Sequence, residues 1–242
     1  MAPLHDNLSN YDTDEQQKTL FLLQIANSSF PTGAFNHSYG FETWFSDGSI
    51  ADAESFEIAC RDWLTYCLAR SEGIAAAKAC EMAKLADRDG LIGLDGHLAA
   101  LKLCREARDA SSMTGQALLT AYLEIFEKPG LDDYAGAVRS GQVEGHHAVV
   151  FGAVCGSFGI SATDTVLTFA QAAVSSLAGV ASRLIPLGQV ETQRIITNAW
   201  PRVQQAAQDA VAADIGDMNA ATAHLDVASM KHEKLRTRLC IS

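Results

Sequence analysis

Positive charge is scarce in this chain of 242 residues. It contains 18 Lys and Arg against 29 Asp and Glu, which gives a formal net charge of −11. A general nucleic-acid surface needs Lys and Arg to neutralise phosphates, so the composition predicts no nucleic-acid partner. The acidic balance is typical of a soluble protein, and it suits a basic partner.

The motifs of several enzyme classes are missing. There is no Gly-x-x-x-x-Gly-Lys-Ser/Thr, so this chain is not expected to hydrolyse a nucleotide itself. There is no Gly-x-Ser-x-Gly, which excludes a hydrolase nucleophile elbow. No nucleophile–base pair is readable, and the Asp and Glu residues are spread over polar helix faces. We therefore expect neither enzymatic activity nor a cofactor.

Paired cysteines are also missing. The six cysteines lie at positions 60, 67, 80, 104, 155 and 240, and none forms Cys-x-x-Cys. Most fall in apolar helical settings, where Cys behaves as a small hydrophobic residue. The first residues show no basic start and no apolar run, so no signal peptide is expected. We predict reduced core thiols in a cytoplasmic protein.

Apolar and polar residues hardly ever alternate with a period of two, which argues against β-strands. The clearest helix follows Asp52, where apolar residues recur on one face over three turns: Phe56, Ala59, Cys60, Trp63, Leu64, Cys67 and Leu68. Apolar residues make up 48% of the chain, which is ample for a core. Short loops joining helices of ordinary length predict an all-α, single-domain bundle of roughly nine to ten helices.

The predicted organisation has three parts. Residues 1–12 are expected to be a flexible polar leader, 13–224 the helical domain and 225–242 a C-terminal docking tail. Within the domain we expect a first helix from Thr13, a helix over 97–126 with a break near 111–112, a looser stretch through Gly141, a helix over 189–198, and a further helix starting at Pro201.

One uncharged stretch, 165–182, is just long enough to raise the question of a membrane span. It contains several Ser, Thr and Gln residues, and its apolar residues keep a helical stripe. We expect Asp164 to cap this helix, and we interpret it as the central helix of a soluble bundle, with no membrane association.

His146 and His147, with Glu144 nearby, raise the question of a metal site. Adjacent helical residues point about 100° apart, so the two imidazoles do not easily bind one ion. Imidazole sites normally need further convergent ligands. We therefore predict no metal site within the chain.

The segment 22–44 combines a turn with an unusual number of aromatic residues. Pro31 fixes its φ and Gly33 permits backbone angles closed to other residues. The segment after the turn carries Phe35, His37, Tyr39, Phe41 and Trp44 with hardly any charge. Such a turn is expected either to be buried or to be held ready for a partner.

The last residues form a basic and apolar tail in an acidic protein. Lys231, Lys234, Arg236 and Arg238 stand within eight positions, offset by Glu233 alone. Exposing the neighbouring apolar side chains to water costs free energy. These side chains are Leu235, Leu239 and Ile241. A frayed terminus is the alternative, but Arg among apolar neighbours favours docking to a partner or to a second copy.

Four stretches in this order resemble the urease accessory protein UreF family. They are 22–42, 145–152, 183–189 with Gln193-Arg194, and 228–233 with Arg238-Leu239. The resemblance implies an all-α homodimer without enzymatic activity. It also implies that the protein acts in the cytoplasm together with the accessory protein UreD (also called UreH), the GTPase UreG and apo-urease. In that role the family bridges the two partners, regulates GTP-dependent nickel insertion and has been linked to a route for nickel.

The resemblance also assigns roles to individual residues. Phe35 and Arg238 match positions that the family uses in recruiting the GTPase, and the tail after Leu225 matches the segment that orders against UreD/UreH. The full set of partner-binding candidates is Phe35, Tyr39, Lys231, His232, Arg236, Arg238 and Leu239. The structural-motif candidates are Pro31, Gly33, Gly40, Pro186, Gly188 and Gln189.

Two departures from the family pattern stand out. Phe41 replaces the usual Leu, and Cys240 replaces the usual aromatic residue after Arg-Leu. The alternative function is a helical protein that carries nickel on His146 and His147.

Overall fold

A computed structural model of the protein describes residues 5–126, 130–219 and 222–242, with side chains from residue 14 onward. Within these residues the secondary structure is helical and contains no strand, which confirms the all-α prediction. The α-helices are α1 (His5–Ile25), α2 (Phe41–Ser46), α3 (Ala53–Trp63), α4 (Glu72–Lys84), α5 (Arg88–Leu101), α6 (Arg105–Ile125), α7 (Asp132–Arg139), α8 (His147–Ser157), α9 (Ala162–Leu184), α10 (Gln189–Ala212) and α11 (Ala223–His232). Short 3₁₀ turns cover Ala34–Asn36 and Ile215–Asp217, and a π-helical turn, Leu64–Leu68, extends α3.

The described residues thus hold eleven α-helices rather than nine to ten. Two predicted helices merge, because α10 runs straight through Pro201. A proline inside a helix costs about 3 kcal/mol. Its neighbours Ile195, Ile196 and Val203 are all buried, so one apolar stripe continues across the proline. Tertiary packing of that stripe outweighs the local preference.

Two further helices account for the rest of the difference. The predicted helix over 97–126 is divided between α5 and α6, and the break lies at 102–104 rather than at 111–112. Ser111 is buried inside α6, where its hydroxyl accepts a hydrogen bond from the His147 N–H at 3.3 Å. The stretch expected to be looser contains α7, which buries Tyr134 and Val138.

Helix starts were predicted with mixed success. Asp52 caps α3 as expected, because its carboxylate accepts the Ser55 N–H. The cap of α9 is Ser161 instead of Asp164, which lies in the first turn and donates its N–H to the serine hydroxyl. Helix α1 begins at His5 rather than at Thr13. Residues 1–4 of the predicted leader lie outside the described residues.

The centre of the fold is the close packing of α8 on α4. Gly152 and Gly156 face the α4 backbone so closely that a Cβ would stand 2.2 Å from the Ala76 carbonyl oxygen and 2.3 Å from that of Cys80. Helices α9 and α10 pack on the same α4, and α6 packs on α8. Small residues therefore let the backbones of the central pair approach one another.

Helix α9 is long and apolar enough to cross a membrane by length and composition. However, 56% of its most apolar window is buried inside the protein, against α4 and α10. One such helix is weak evidence for a span, and this burial is the pattern of a core helix.

All six cysteines are free thiols, and every one except Cys67 is buried. Burial raises the pKa of Cys60 to about 12 and that of Cys67 to about 11. Thiols of this kind are protonated at neutral pH and poorly nucleophilic, as expected for core residues.

Candidate functional site

The aromatic turn stands on a cluster of rings in the core. Phe41 is fully buried, and its ring centroid lies 5.0 Å from that of Trp44 and 6.2 Å from those of Phe56 and Trp63. The Phe41 side chain is therefore accommodated by edge-to-face aromatic packing. This cluster fixes the base from which the turn projects.

Glycines lie at both ends of the turn. Gly33 has a φ of 74° and Gly40 a φ of 89°, in the left-handed region that favours glycine. A Cβ on Gly40 would also lie only 2.6 Å from the Ser229 hydroxyl of α11. Tyr39 adopts a φ of 55° and is half-buried, with its ring 5.2 Å from that of Trp63. Pro31 is exposed at the start of the turn.

Phe35 is the apolar side chain that the turn presents to solvent. It lies on the 3₁₀ turn and is 44% exposed, whereas Phe30, His37 and Ser38 are buried. Beside it runs an open groove of about 780 Å³ between the end of α1 and α9. Within residues 30–39, three are buried, five are intermediate, and Pro31 and Phe35 are exposed.

The C-terminal tail folds directly onto this turn. The Ile241 N–H donates to the Asn36 carbonyl oxygen at 2.9 Å, and the Ser38 N–H donates to the Ser242 carbonyl oxygen at 2.6 Å. The Ser242 hydroxyl also lies 2.8 Å from Nδ1 of His37. Two segments about 200 positions apart in sequence therefore form one surface, which we call the turn–tail surface: residues 33–39 with 234–242.

Two carboxylates that sequence reasoning missed hold the tail in place. Glu42 is 3% exposed and accepts the backbone N–H groups of Leu239 and Cys240. Glu106 accepts a hydrogen bond from Nη1 of Arg238 at 2.7 Å. Glu42 did carry a signal, because it is the one Asp, Glu, Lys or Arg in segment 22–44, and a buried charge among apolar residues needs partners. Glu106 carried none.

The predicted partner-binding residues of the tail fall into two groups. Lys231, Arg236 and Arg238 are exposed, and Leu239 is 46% exposed. His232 is completely buried, and its ring lies between Glu42 and Glu106. In this structure His232 therefore contacts its own chain rather than offering a surface.

The remaining motif residues connect α9 to α10. Pro186 and Gly188 are exposed, and Gln189 begins α10. Gly188 has a φ of −73°, so its backbone angles do not require glycine. Its carbonyl oxygen accepts the Thr192 N–H at 2.9 Å and the Thr192 hydroxyl at 3.0 Å, which closes the first turn of the helix.

The histidine pair is positioned by Asp95 of α5. Its carboxylate accepts the backbone N–H groups of Glu144 and Gly145 at 3.0 Å and that of His146 at 2.7 Å. Nε2 of His146 lies 3.3 Å from the Glu144 carboxylate, but neither ring nitrogen has a hydrogen-bond partner. The His147 ring packs instead on Phe169, with centroids 5.2 Å apart.

The described residues contain no group of three or more His, Cys, Asp or Glu side chains placed to hold a metal ion. The alternative of nickel carried on the histidine pair stays a prediction.

A partly open cavity of about 100 Å³ lies beneath the turn. Glu72 and Lys102 meet there as a mostly buried ion pair, with 2.6 Å between the carboxylate and ammonium groups. Burial alone would raise the pKa of Glu72, but Lys102 more than offsets it and the net pKa lies below its usual value. His147 lines this cavity and also the outer groove beside Phe35.

The histidine pair makes stability depend on acid pH. Burial, with Lys102 nearby, lowers the pKa of His146 from 6.5 to about 4, and burial does the same for His147. Above pH 6.5 the folded and unfolded states are both neutral at these sites. As the pH falls towards about 4, the unfolded chain binds protons that the folded chain does not, so the free energy of unfolding falls. For His146 the loss is at most about 3 kcal/mol.

Urea unfolding at neutral pH and near pH 4.5 measures this loss. His146→Leu removes one titrating group and fills a similar volume, so its stability is expected to fall less on acidification than that of the wild type. An identical fall in both proteins would contradict the assignment.

The chain is similar to known proteins over most of its length. A model of the UreF family matches residues 50–199. A relative from Geobacillus kaustophilus, named urease accessory protein UreF, is 36% identical over 226 residues, which are 93% of this chain and 99% of the relative. A relative of the same name from Lachnoclostridium phytofermentans is 33% identical over 230 residues, or 92% of this chain and 98% of the relative.

Proposed function

Because this chain belongs to the UreF family of urease accessory proteins, we propose that it acts as an adaptor in the maturation of urease. It is an accessory protein and not an enzyme. The proposed adaptor bridges a UreD/UreH-type accessory protein and a UreG-type GTPase, and it regulates GTP-dependent nickel insertion into apo-urease.

The turn–tail surface is the observation that supports this proposal most strongly. Phe35, Leu239 and Ile241 are each 44–56% exposed, and hydrogen bonds between residues 36–38 and 241–242 bring their segments together. Exposed Arg236 adds positive charge to an otherwise acidic protein, and the exposed Arg238 guanidinium is paired with Glu106. Apolar anchors beside Arg are the composition of interface hot spots. We assign this surface to recruitment of the GTPase, whose docking face would then be acidic and apolar.

The remaining parts of the proposal rest on the family resemblance together with the fold. Residues 13–224 would form one domain, and the single cluster of buried apolar residues in the described part of the chain supports this. The tail from Leu225 onward would also meet the UreD/UreH-type partner. We further propose that the protein works in the cytoplasm as a homodimer.

Removing the aromatic ring of Phe35 is expected to weaken capture of the GTPase. We expect Phe35→Ala and Arg238→Ala each to lower the affinity about 30-fold, which is the loss at a hot spot worth about 2 kcal/mol. The measurement is a titration of the UreG-type GTPase against a reconstituted complex of this protein and its UreD/UreH-type partner. Helical circular dichroism should be unchanged in both variants.

Trp200→Ala provides a matched control, because Trp200 is a 52% exposed aromatic residue on α10. It should bind the GTPase like the wild type. Wild-type affinity in both the Phe35 and Arg238 variants would remove the assignment of the turn–tail surface. Loss of affinity in the Trp200 variant would place the binding site elsewhere or enlarge it.

A further inference from the structure

Four charged side chains fasten the tail through one continuous chain of hydrogen bonds. Nε2 of His232 lies 2.9 Å from the Glu42 carboxylate, and Nδ1 lies 2.7 Å from the Glu106 carboxylate. The other oxygen of Glu106 accepts the Arg238 hydrogen bond at 2.7 Å. The His232 ring is completely buried, and the side chains of Glu42 and Glu106 are 4% and 15% exposed. We call these residues the tail latch: Glu42, Glu106, His232 and Arg238.

Counting protons across the latch determines the state of His232. A neutral imidazole carries one N–H, so one ring nitrogen would present a lone pair to a carboxylate oxygen. Neither carboxylate can easily supply the missing proton. Glu42 also accepts two backbone N–H groups, and Glu106 also accepts the Arg238 guanidinium, and all of these contacts favour the ionised carboxylate. A ring with both nitrogens protonated would donate to both carboxylates.

With His232 as imidazolium the latch is electrically balanced. Two carboxylates face one imidazolium and one guanidinium, and each short contact joins a donor to an anionic acceptor. Without the second proton, the buried part would hold a net negative charge and one repulsive contact. Such an imbalance is costly where water is excluded.

We propose that His232 is a positioning residue whose doubly protonated ring holds residues 238–242 against the Phe35 turn. It connects α2, which carries Glu42, to α6, which carries Glu106, and its two bonds set where Leu239 and Arg238 lie. The turn–tail surface exists as one surface only while this latch is closed. The functional consequence rests on the proposed recruitment of the GTPase, whereas the protonation state and the order of the tail do not.

Other charged groups surround the latch without entering it. Arg105 of α6 pairs with Glu233 at 3.1 Å on the exposed side. Lys231 on α11 is exposed, and the Cys240 thiol lies close to Glu42, where burial and that carboxylate raise the pKa of the thiol to about 12.

Two substitutions separate protonation from simple packing. Gln at position 232 has one donor end and one acceptor end, so His232→Gln can satisfy only one of the two carboxylates. Glu106→Gln does the opposite: its amide oxygen can still accept from Arg238, while its NH₂ can donate to a ring nitrogen that has no proton. Glu106→Gln should therefore keep the tail closed with a neutral His232.

The test combines ring ¹⁵N spectra with amide hydrogen exchange on the full-length protein, both alone and in the reconstituted complex with the UreD/UreH-type partner. In the wild type both His232 ring nitrogens are expected to be protonated, and in Glu106→Gln only one. In His232→Gln, exchange protection of the Leu239 and Cys240 amides should fall about tenfold or more, the effect of losing a hydrogen bond to a charged group. In Glu106→Gln that protection should stay within about threefold of the wild type, as for a satisfied pair.

A neutral His232 in the wild type would overturn the proposal, and so would full protection of both amides in His232→Gln. Binding of the GTPase separates this inference from the function it rests on. With the latch as proposed, capture should fall in His232→Gln and persist in Glu106→Gln. If the spectra and exchange data agree with the latch while capture is unchanged in both variants, the latch stands and the recruitment surface is wrong.

Discussion

Replacing Gly152 by Ala should destabilise the protein by about 3 kcal/mol, at the upper end of the range for overpacking a core. The added Cβ would stand 2.2 Å from the Ala76 carbonyl oxygen and 2.8 Å from the Ala79 Cβ. Neither is the mobile end of a long side chain, so α8 has to move away from α4. The melting temperature is expected to fall by about 10 °C in a protein of this size.

A second glycine provides the control for this experiment. Gly93 lies inside α5, and a Cβ built there has nothing within 4 Å. Gly93→Ala should therefore raise stability by about 0.5–1 kcal/mol, because Ala loses less conformational freedom in a helix. Calorimetry of both variants is the measurement. Equal effects in the two variants would show that the close approach of α4 and α8 is not what destabilises Gly152→Ala.

Removing Lys102 should have an effect of similar size for an electrostatic reason. The Lys102 and Glu72 side chains are only 15% and 11% exposed. Lys102→Met keeps the apolar stem but leaves the Glu72 carboxylate buried without its cation. Breaking a buried pair in this way costs about 3–5 kcal/mol, and the residual exposure of both groups places the expected loss near the lower end. Chemical unfolding at neutral pH measures it.

The double variant Lys102→Met with Glu72→Gln tests whether the unpaired charge is the cause. A neutral amide removes the buried carboxylate, so most of the stability should return. The pH dependence has a definite sign. The lowered pKa of Glu72 makes the wild-type pair stabilising above its unfolded value of 4.5, and this contribution is lost as the pH falls through the folded value.

In Lys102→Met, burial without the cation raises the pKa of Glu72, so acid removes the penalty of the unpaired charge. The difference between wild type and variant should therefore shrink as the pH falls. A difference that is constant with pH, or a double variant as unstable as the single one, would indicate a packing defect instead.

Much of the fold was predictable because helical periodicity is a local property. Asp52 and the apolar face from Phe56 to Leu68 predicted a helix that the structure contains. The misplaced boundaries have non-local causes. Helix α10 continues through Pro201 because residues on both sides bury one stripe, and α6 has no break at Ser111 because that hydroxyl bonds to α8. No window of sequence shows what an element will pack against.

The candidate site also has parts that could be predicted from local sequence and parts that depend on non-local packing. Phe35 at the tip of a Pro/Gly turn and an Arg-rich apolar tail could both be identified from residue type and neighbours. The contact between the turn and the tail could not be predicted from the sequence. The hydrogen bonds between residues 36–38 and 241–242 depend on how the whole bundle packs. For the same reason His232 was expected to face a partner, whereas the structure places it between two carboxylates.

The sequence by itself determined the all-α class, the family and the two segments expected to meet partners, since these depend on composition, periodicity and motifs along the chain. The tertiary structure alone decided that turn and tail form one surface, and that Glu42 and Glu106 hold it. A carboxylate's role depends on which donors surround it and how little water remains, and only the packed chain sets those two conditions.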